Sequence, residues 1–117
     1  MSDVKELLTT EDLEGMWETS TEKFVYLFKK STTCPLSADA FEAFNEFLQT
    51  TKKDIAPYFV KVRESRDISN QIADESGVKH QSPQVMLIKD KKVLWHTSHT
   101  KITTTSLTEA LEDASKS

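Results

Sequence analysis

Glycine is nearly absent from this chain: Gly15 and Gly77 are the only two in 117 residues. That excludes a glycine-rich phosphate loop or a dinucleotide fingerprint, which need several glycines where backbone must approach phosphate. Cysteine is scarcer still. With Cys34 alone, no intramolecular disulfide can form, stability must come from packing, and a cytoplasmic protein is expected. No apolar run approaches the roughly 20 residues a transmembrane helix requires. Met1 to Glu6 lacks the basic start and apolar stretch of a signal peptide. Basic residues are outnumbered, 15 against 19 acids, for a formal charge of −4 and a pI near 5.4. They are scattered along the length, which argues against a nucleic-acid or membrane partner, since either would want a basic face. Three histidines (His80, His96, His99) and one cysteine match no structural zinc spacing, so no metal site is expected.

What is present centres on the lone cysteine. Phe24-Val25-Tyr26-Leu27-Phe28 is an unbroken apolar run rich in β-formers, which predicts a strand buried on both faces. After Lys29-Lys30-Ser31-Thr32-Thr33-Cys34-Pro35-Leu36-Ser37 comes a stripe of Phe41, Phe44 and Leu48, the spacing of an amphipathic helix. Pro35 suits a first helical turn, where its missing N–H costs nothing. Cys34 therefore falls at the positive end of a helix dipole, with free backbone N–H groups nearby, where a thiolate is stabilised. Ser37 stands where a second cysteine would complete Cys-x-x-Cys. Lys29 and Lys30 alternate along the strand, so at most one of them can face the loop.

The remaining elements follow in order. Thr10 caps a first helix with Leu13, Met16 and Trp17 on its apolar side. The cysteine helix runs from about Pro35 to Thr51, and a strand Tyr58–Val62 follows Pro57. Asp67 caps a short helix bearing Ile68, Ile72 and Ala73, closed by Gly77. Ser82-Pro83-Gln84 leads into a strand Val85–Ile88, joined by a polar turn (Lys89–Lys92) to a hairpin partner, Val93–His96. Ser106 starts a last helix with Leu107, Ala110, Leu111 and Ala114, and the tail from Asp113 to Ser117 is expected to fray. The order α-β-α-β-α-β-β-α predicts an α/β fold, a mixed central sheet flanked by helices on both faces, in one domain spanning 1–117. Ligands of open α/β sheets sit beyond the carboxyl ends of parallel strands, which is where Cys34 falls.

That element order, with Cys-x-x-Ser at the first strand–helix junction and Ser82-Pro83 before the third strand, resembles the thioredoxin fold. Within it, Ser31-Thr32-Thr33-Cys34-Pro35-Leu36-Ser37, the short helix containing Trp17 and the strand Gln84-Val85-Met86-Leu87-Ile88 most resemble the YtxJ family. These are the monothiol bacilliredoxins of bacillithiol-using Gram-positive bacteria. The resemblance implies that Cys34 is the redox nucleophile and that Ser37 holds the place of a resolving cysteine. It implies that Pro83 is a cis-proline facing the site, with the Ser82 backbone free to pair with a substrate chain. Thr33, Pro35, Ser37, Ser82 and Pro83 are then the residues expected around the bound thiol. It implies too that bacillithiol is an exchangeable co-substrate with no tightly bound cofactor, and that S-bacillithiolated proteins are the clients of a monomeric enzyme.

One thiol permits one chemistry cleanly: attack on a disulfide sulfur to form a mixed disulfide, which an external thiol must then release. Two other readings compete. A peroxidatic cysteine of this fold is preceded by Pro-x-x-x-Thr-x-x-Cys, but Leu27 and Ser31 hold those places, and Arg63 and Arg66 are distant in sequence. A non-catalytic module whose Cys34 is merely modified under oxidative stress is separated from an enzyme by turnover.

Overall fold

The computed structural model describes residues 4–116; Met1 to Asp3 of the signal-peptide reading, and Ser117 of the tail, lie outside them. A five-stranded mixed sheet has the order β1-β3-β2-β4-β5. The elements are β1 (Lys5–Glu6), α1 (Thr10–Thr19), β2 (Phe24–Lys30), α2 (Pro35–Thr50), β3 (Ile55–Lys61), α3 (Arg66–Ser76), β4 (Gln84–Lys89), β5 (Lys92–Ser98) and α4 (Thr104–Ser115), with a 3-10 turn His99–Lys101 before α4. Strands β1, β3 and β2 run parallel, and β4 and β5 are antiparallel.

Strand β2 is central because its sequence can face apolar layers on both sides. Tyr26 and Phe28 point to one core with Phe44, Phe47, Val85, Leu87, Leu107 and Leu111, contributed by β4, α2 and α4. Val25 and Leu27 point to the other, with Leu13, Met16, Val60, Ile68, Ile72 and Met86. Each fully buried side chain of this size contributes about 1.5–3 kcal/mol. Tyr26 and Phe47 meet edge-on at 5.4 Å. The Tyr26 phenol, whose burial raises its pKa, donates to the Leu107 carbonyl at 2.7 Å and ties α4 to the central strand.

Several expected boundaries move. The first helix is capped by Thr9, not Thr10, in a capping box with Asp12. The last is capped by Thr103, with Ser106 as the reciprocal partner rather than the start. Helix α3 begins after Ser65, and Asp67 lies in its first turn instead of capping it. Asp113 to Ser115 are helical and Lys116 caps the helix, where a frayed tail was expected. Strand β1 was not anticipated: Lys5 and Glu6 pair in parallel with Tyr58 and Phe59, and Glu6 also lies 3.9 Å from the Lys61 ammonium. Strand β3 runs through Pro57 instead of starting after it. The Phe59 carbonyl accepts from Leu7 on the β1 side, so Pro57, two residues earlier, turns its missing N–H to the same side, short of where β1 reaches. The Gly77 expectation holds, with φ +73° closing α3. The hairpin turn is tightened by positive φ at Asp90 and Lys91, whose N–H groups bond the Ser20 carbonyl and hydroxyl at 2.7 and 2.9 Å.

Candidate active site at the Cys34 loop

Strand β2 delivers the chain to Ser31 at the carboxyl end of the parallel strands, and the loop Ser31–Thr33 returns it to α2. Cys34 is the N-cap residue of α2, in extended conformation, with a side chain that makes no capping hydrogen bond. Its carbonyl accepts from the N–H of Ser37 at 3.0 Å and of Ala38 at 3.3 Å. Pro35 has no N–H to offer in this first turn. The Cys34 side chain stands at the positive end of the α2 dipole. Cys34 is partly exposed, and Leu36 beside it is an exposed apolar side chain.

Ser37 is fully buried. Its hydroxyl oxygen accepts from the Ser31 N–H at 2.9 Å, which clasps the start of the loop to the first helical turn. The position where a dithiol relative would carry its second sulfur is therefore filled by a scaffold bond. Thr32 Oγ1 donates to Glu64 at 3.0 Å, and Arg63 donates to Thr33 Oγ1 at 3.4 Å. The Ser82–Pro83 bond is cis. Gln84 pairs with Lys29 in antiparallel register, so the Ser82-Pro83 segment leads into β4 at the same end of the sheet as the Cys34 loop. The hydroxyl of Ser82 and Oε1 of Gln84 are buried without a hydrogen-bond partner.

The two lysines part as alternation predicts. Lys30 lies over the Phe41 ring at 4.1 Å, on the α2 side. Lys29 is completely buried on the α3 side, with Nζ 3.1 Å from Nδ1 of His80. An ammonium has only protons to give, so Nδ1 accepts here; Ser69 Oγ is 3.5 Å from the same nitrogen. Burial pushes the Lys29 pKa down to about 8. His80 is also lowered, first by lost hydration and then by the charges of Lys29 and Arg66. Neither lysine hydrogen-bonds Cys34.

Two features escaped the sequence reading. Lys29, which stands between Phe28 and a second lysine at the end of the apolar run, gave no sign of being buried. Arg63, set aside for its distance along the chain, is beside the loop. The register gives the reason: Lys30 pairs with Lys61 in parallel strands, so residues two or three beyond one strand end meet those two or three beyond the other. Among the described residues no group of three or more His, Cys, Asp or Glu gathers as metal ligands, and no helix is long and apolar enough to cross a membrane.

The chain matches the family described as monothiol bacilliredoxin BrxC over residues 5–107. Among solved structures it is similar to a proposed oxidoreductase with a thioredoxin fold, at 34% identity over 92% of each chain and a TM-score of 0.82. Thioredoxin of Malassezia sympodialis superposes with a TM-score of 0.76 at 16% identity, over 97% of this chain and 91% of that one. Fasciola hepatica thioredoxin gives 0.75 at 16%, over 94% and 98%; at such identity the likeness is one of fold. Fold, helix-capping cysteine and relatives together define a thioredoxin-like thiol oxidoreductase. Within that class, the chain belongs to the monothiol bacilliredoxin family.

Proposed function

We propose that this protein removes bacillithiol from S-bacillithiolated proteins through a mixed disulfide on Cys34. It acts as a monomeric single domain in the cytoplasm, with bacillithiol as an exchangeable co-substrate. The observation that carries this reading is the pair of positions in the first turn of α2. Cys34 caps the helix with its thiol uncommitted, and Ser37 is buried and bonded to Ser31 where a resolving thiol would stand. The Cys34 thiolate attacks the bacillithiol sulfur, the Cys34–S–S–bacillithiol bond forms, and the client leaves as a thiolate that takes a proton from water. Free bacillithiol then releases Cys34 by a second exchange. Thr33, Pro35, Ser82 and Pro83 border the attack position, and Ser37 fixes the loop that presents Cys34.

The test is incubation of the reduced protein with a bacillithiolated client, both followed by intact mass. One bacillithiol should appear on Cys34 as it leaves the client, and Cys34→Ser should be inert. Transfer by Cys34→Ser, or an unmodified Cys34 beside an unchanged client, would refute the mechanism. Modification of Cys34 without multiple turnover would favour the sensing module instead.

A further inference from the structure

Residues 77–83 join α3 to β4 without regular secondary structure and end at Ser82 and Pro83. Buried side chains from three different elements grip this segment. Lys29 of β2 donates to His80 Nδ1 at 3.1 Å, the Ser69 hydroxyl of α3 stands 3.5 Å from the same nitrogen, and Gln84 Nε2 of β4 donates to the Lys79 carbonyl at 3.1 Å. Lys29 and Gln84 are register partners on neighbouring strands, so their side chains leave the same face of the sheet and reach two consecutive residues of the segment. Nearer its end, Ser98 donates to Gln81 at 3.1 Å and the His99 N–H donates to the Pro83 carbonyl at 3.0 Å.

Of these ties, the one through Lys29 and His80 responds to protons. His80 is exposed while Lys29 beneath it is fully buried, so a proton from solvent meets the imidazole side of the bond. Nδ1 accepts from the ammonium only while it carries no proton itself. Once protonated it offers no lone pair and faces a second cation at hydrogen-bond distance. The charges around it do not compensate. Arg66 of α3 acts on the imidazole with the same sign as Lys29, and Lys79 precedes it in the chain. None of the ion pairs among the described residues brings a carboxylate to His80 or Lys29. For packing alone, a methionine at position 29 would fill the same space without a charge to desolvate. What the ammonium adds is a directed hydrogen bond to the segment that leads to Pro83.

Resting on the function proposed above, in which Ser82 and Pro83 border the attack position, we propose that Lys29 and His80 are positioning residues for the exchange at Cys34. Their hydrogen bond holds residues 79–82 so that a client meets the Ser82 backbone already in place, and protonation of His80 opens the bond and releases the segment. Neither residue touches the reacting sulfurs. The edge that receives the client is thereby sensitive to acid independently of the thiol that attacks it.

The test follows two rates of the full chain from about pH 5 to about pH 8, the range in which a histidine titrates. One is transfer from a bacillithiolated client protein to Cys34, read by intact mass. The other is alkylation of Cys34 by iodoacetamide, which needs no client docking. Their quotient removes the thiolate fraction of Cys34, and comparing variants at one pH removes any titration of the client. In the wild type the quotient should fall about tenfold as acid protonates His80, the low end for a hydrogen bond to a charged group. His80→Asn, whose Oδ1 can accept from Lys29 but takes no proton, should keep the high quotient at every pH. His80→Ala should show the low quotient throughout. Lys29→Met should also be slow on the client, with a wild-type alkylation rate, in a protein no less stable than the wild type near neutrality; lost stability cannot produce that combination. His96→Asn, at an exposed histidine of β5, should leave the wild-type profile unchanged. A wild-type quotient that follows His80→Asn at every pH, or a Lys29→Met protein as fast on the client as the wild type, would overturn the positioning role and leave the transfer mechanism standing. A wild type that is alkylated at Cys34 yet takes no bacillithiol from the client would overturn the transfer mechanism and this role with it.

Discussion

Replacing Lys29 with methionine should make stability respond differently to pH, and the size of the change follows from the burial of one ammonium. Lys29 has no solvent exposure, and no carboxylate pairs with it; its nearest polar partner is Nδ1 of His80 at 3.1 Å. Its pKa falls from an ordinary 10.5 to about 8 in the folded protein. Between those values the unfolded chain holds a proton on Lys29 that the folded chain has released, so the unfolded state binds more protons and stability rises with pH. Below the folded value both states are charged, and the folded state bears the whole desolvation cost, about 3 kcal/mol at 1.36 kcal/mol per pKa unit. From about pH 7 to about pH 10 the wild type should therefore gain about 2–3 kcal/mol relative to Lys29→Met. His80, already held low, is neutral across this range, and groups common to both proteins cancel in the difference. Urea unfolding of the two proteins at several pH values, analysed by linear extrapolation, measures it. Near neutrality Lys29→Met should be the more stable protein, since a methionine of similar length fills the space without a charge to desolvate. A difference that stays flat with pH, or a methionine variant that loses ground as pH falls, would refute this account of Lys29.

Two smaller perturbations test the loop and the frame. Ser37→Ala removes the acceptor of the Ser31 N–H and should cost about 1–2 kcal/mol in urea unfolding, together with slower adduct formation at Cys34; unchanged stability would mean that the loop is not clasped as described. Gly77→Ala meets no atom within 4 Å but must hold φ at +73°, so it should cost about 1 kcal/mol through backbone strain alone, and Gly77→Asn, better suited to the left-handed region, should cost less in the same thermal melts.

The sequence reading succeeds where a side-chain pattern forces one conformation, and fails where the outcome depends on which strands become neighbours. Phe24 to Phe28 could be nothing but an inner strand, and Pro35 ahead of Phe41, Phe44 and Leu48 marks α2 nearly to the residue. Helix starts drift because the polar residue closest to the apolar face draws attention. The actual caps, Thr9, Ser65 and Thr103, each lie upstream of the expected Thr10, Asp67 and Ser106. Strand β1 has only Lys5 and Glu6 to announce it, and its existence rests on backbone groups of β3 that no pattern in its own residues reveals. At the site, Cys34, Pro35 and Ser37 stand in one short motif and were legible together. The burial of Lys29 needs α3 and the His80 segment to close over it. The approach of Arg63 needs β3 to lie parallel beside β2, and that pairing joins residues about thirty positions apart.

Having one thiol and a serine clasp in place of a second also decides how this protein looks when oxidised. A dithiol relative closes its own disulfide and loses only two hydrogens, a change that says nothing about what it met. Here every disulfide on Cys34 adds the whole mass of another molecule. A mass spectrum of the protein taken directly from cells thus identifies, by the mass added, whatever thiol Cys34 holds at the moment of sampling.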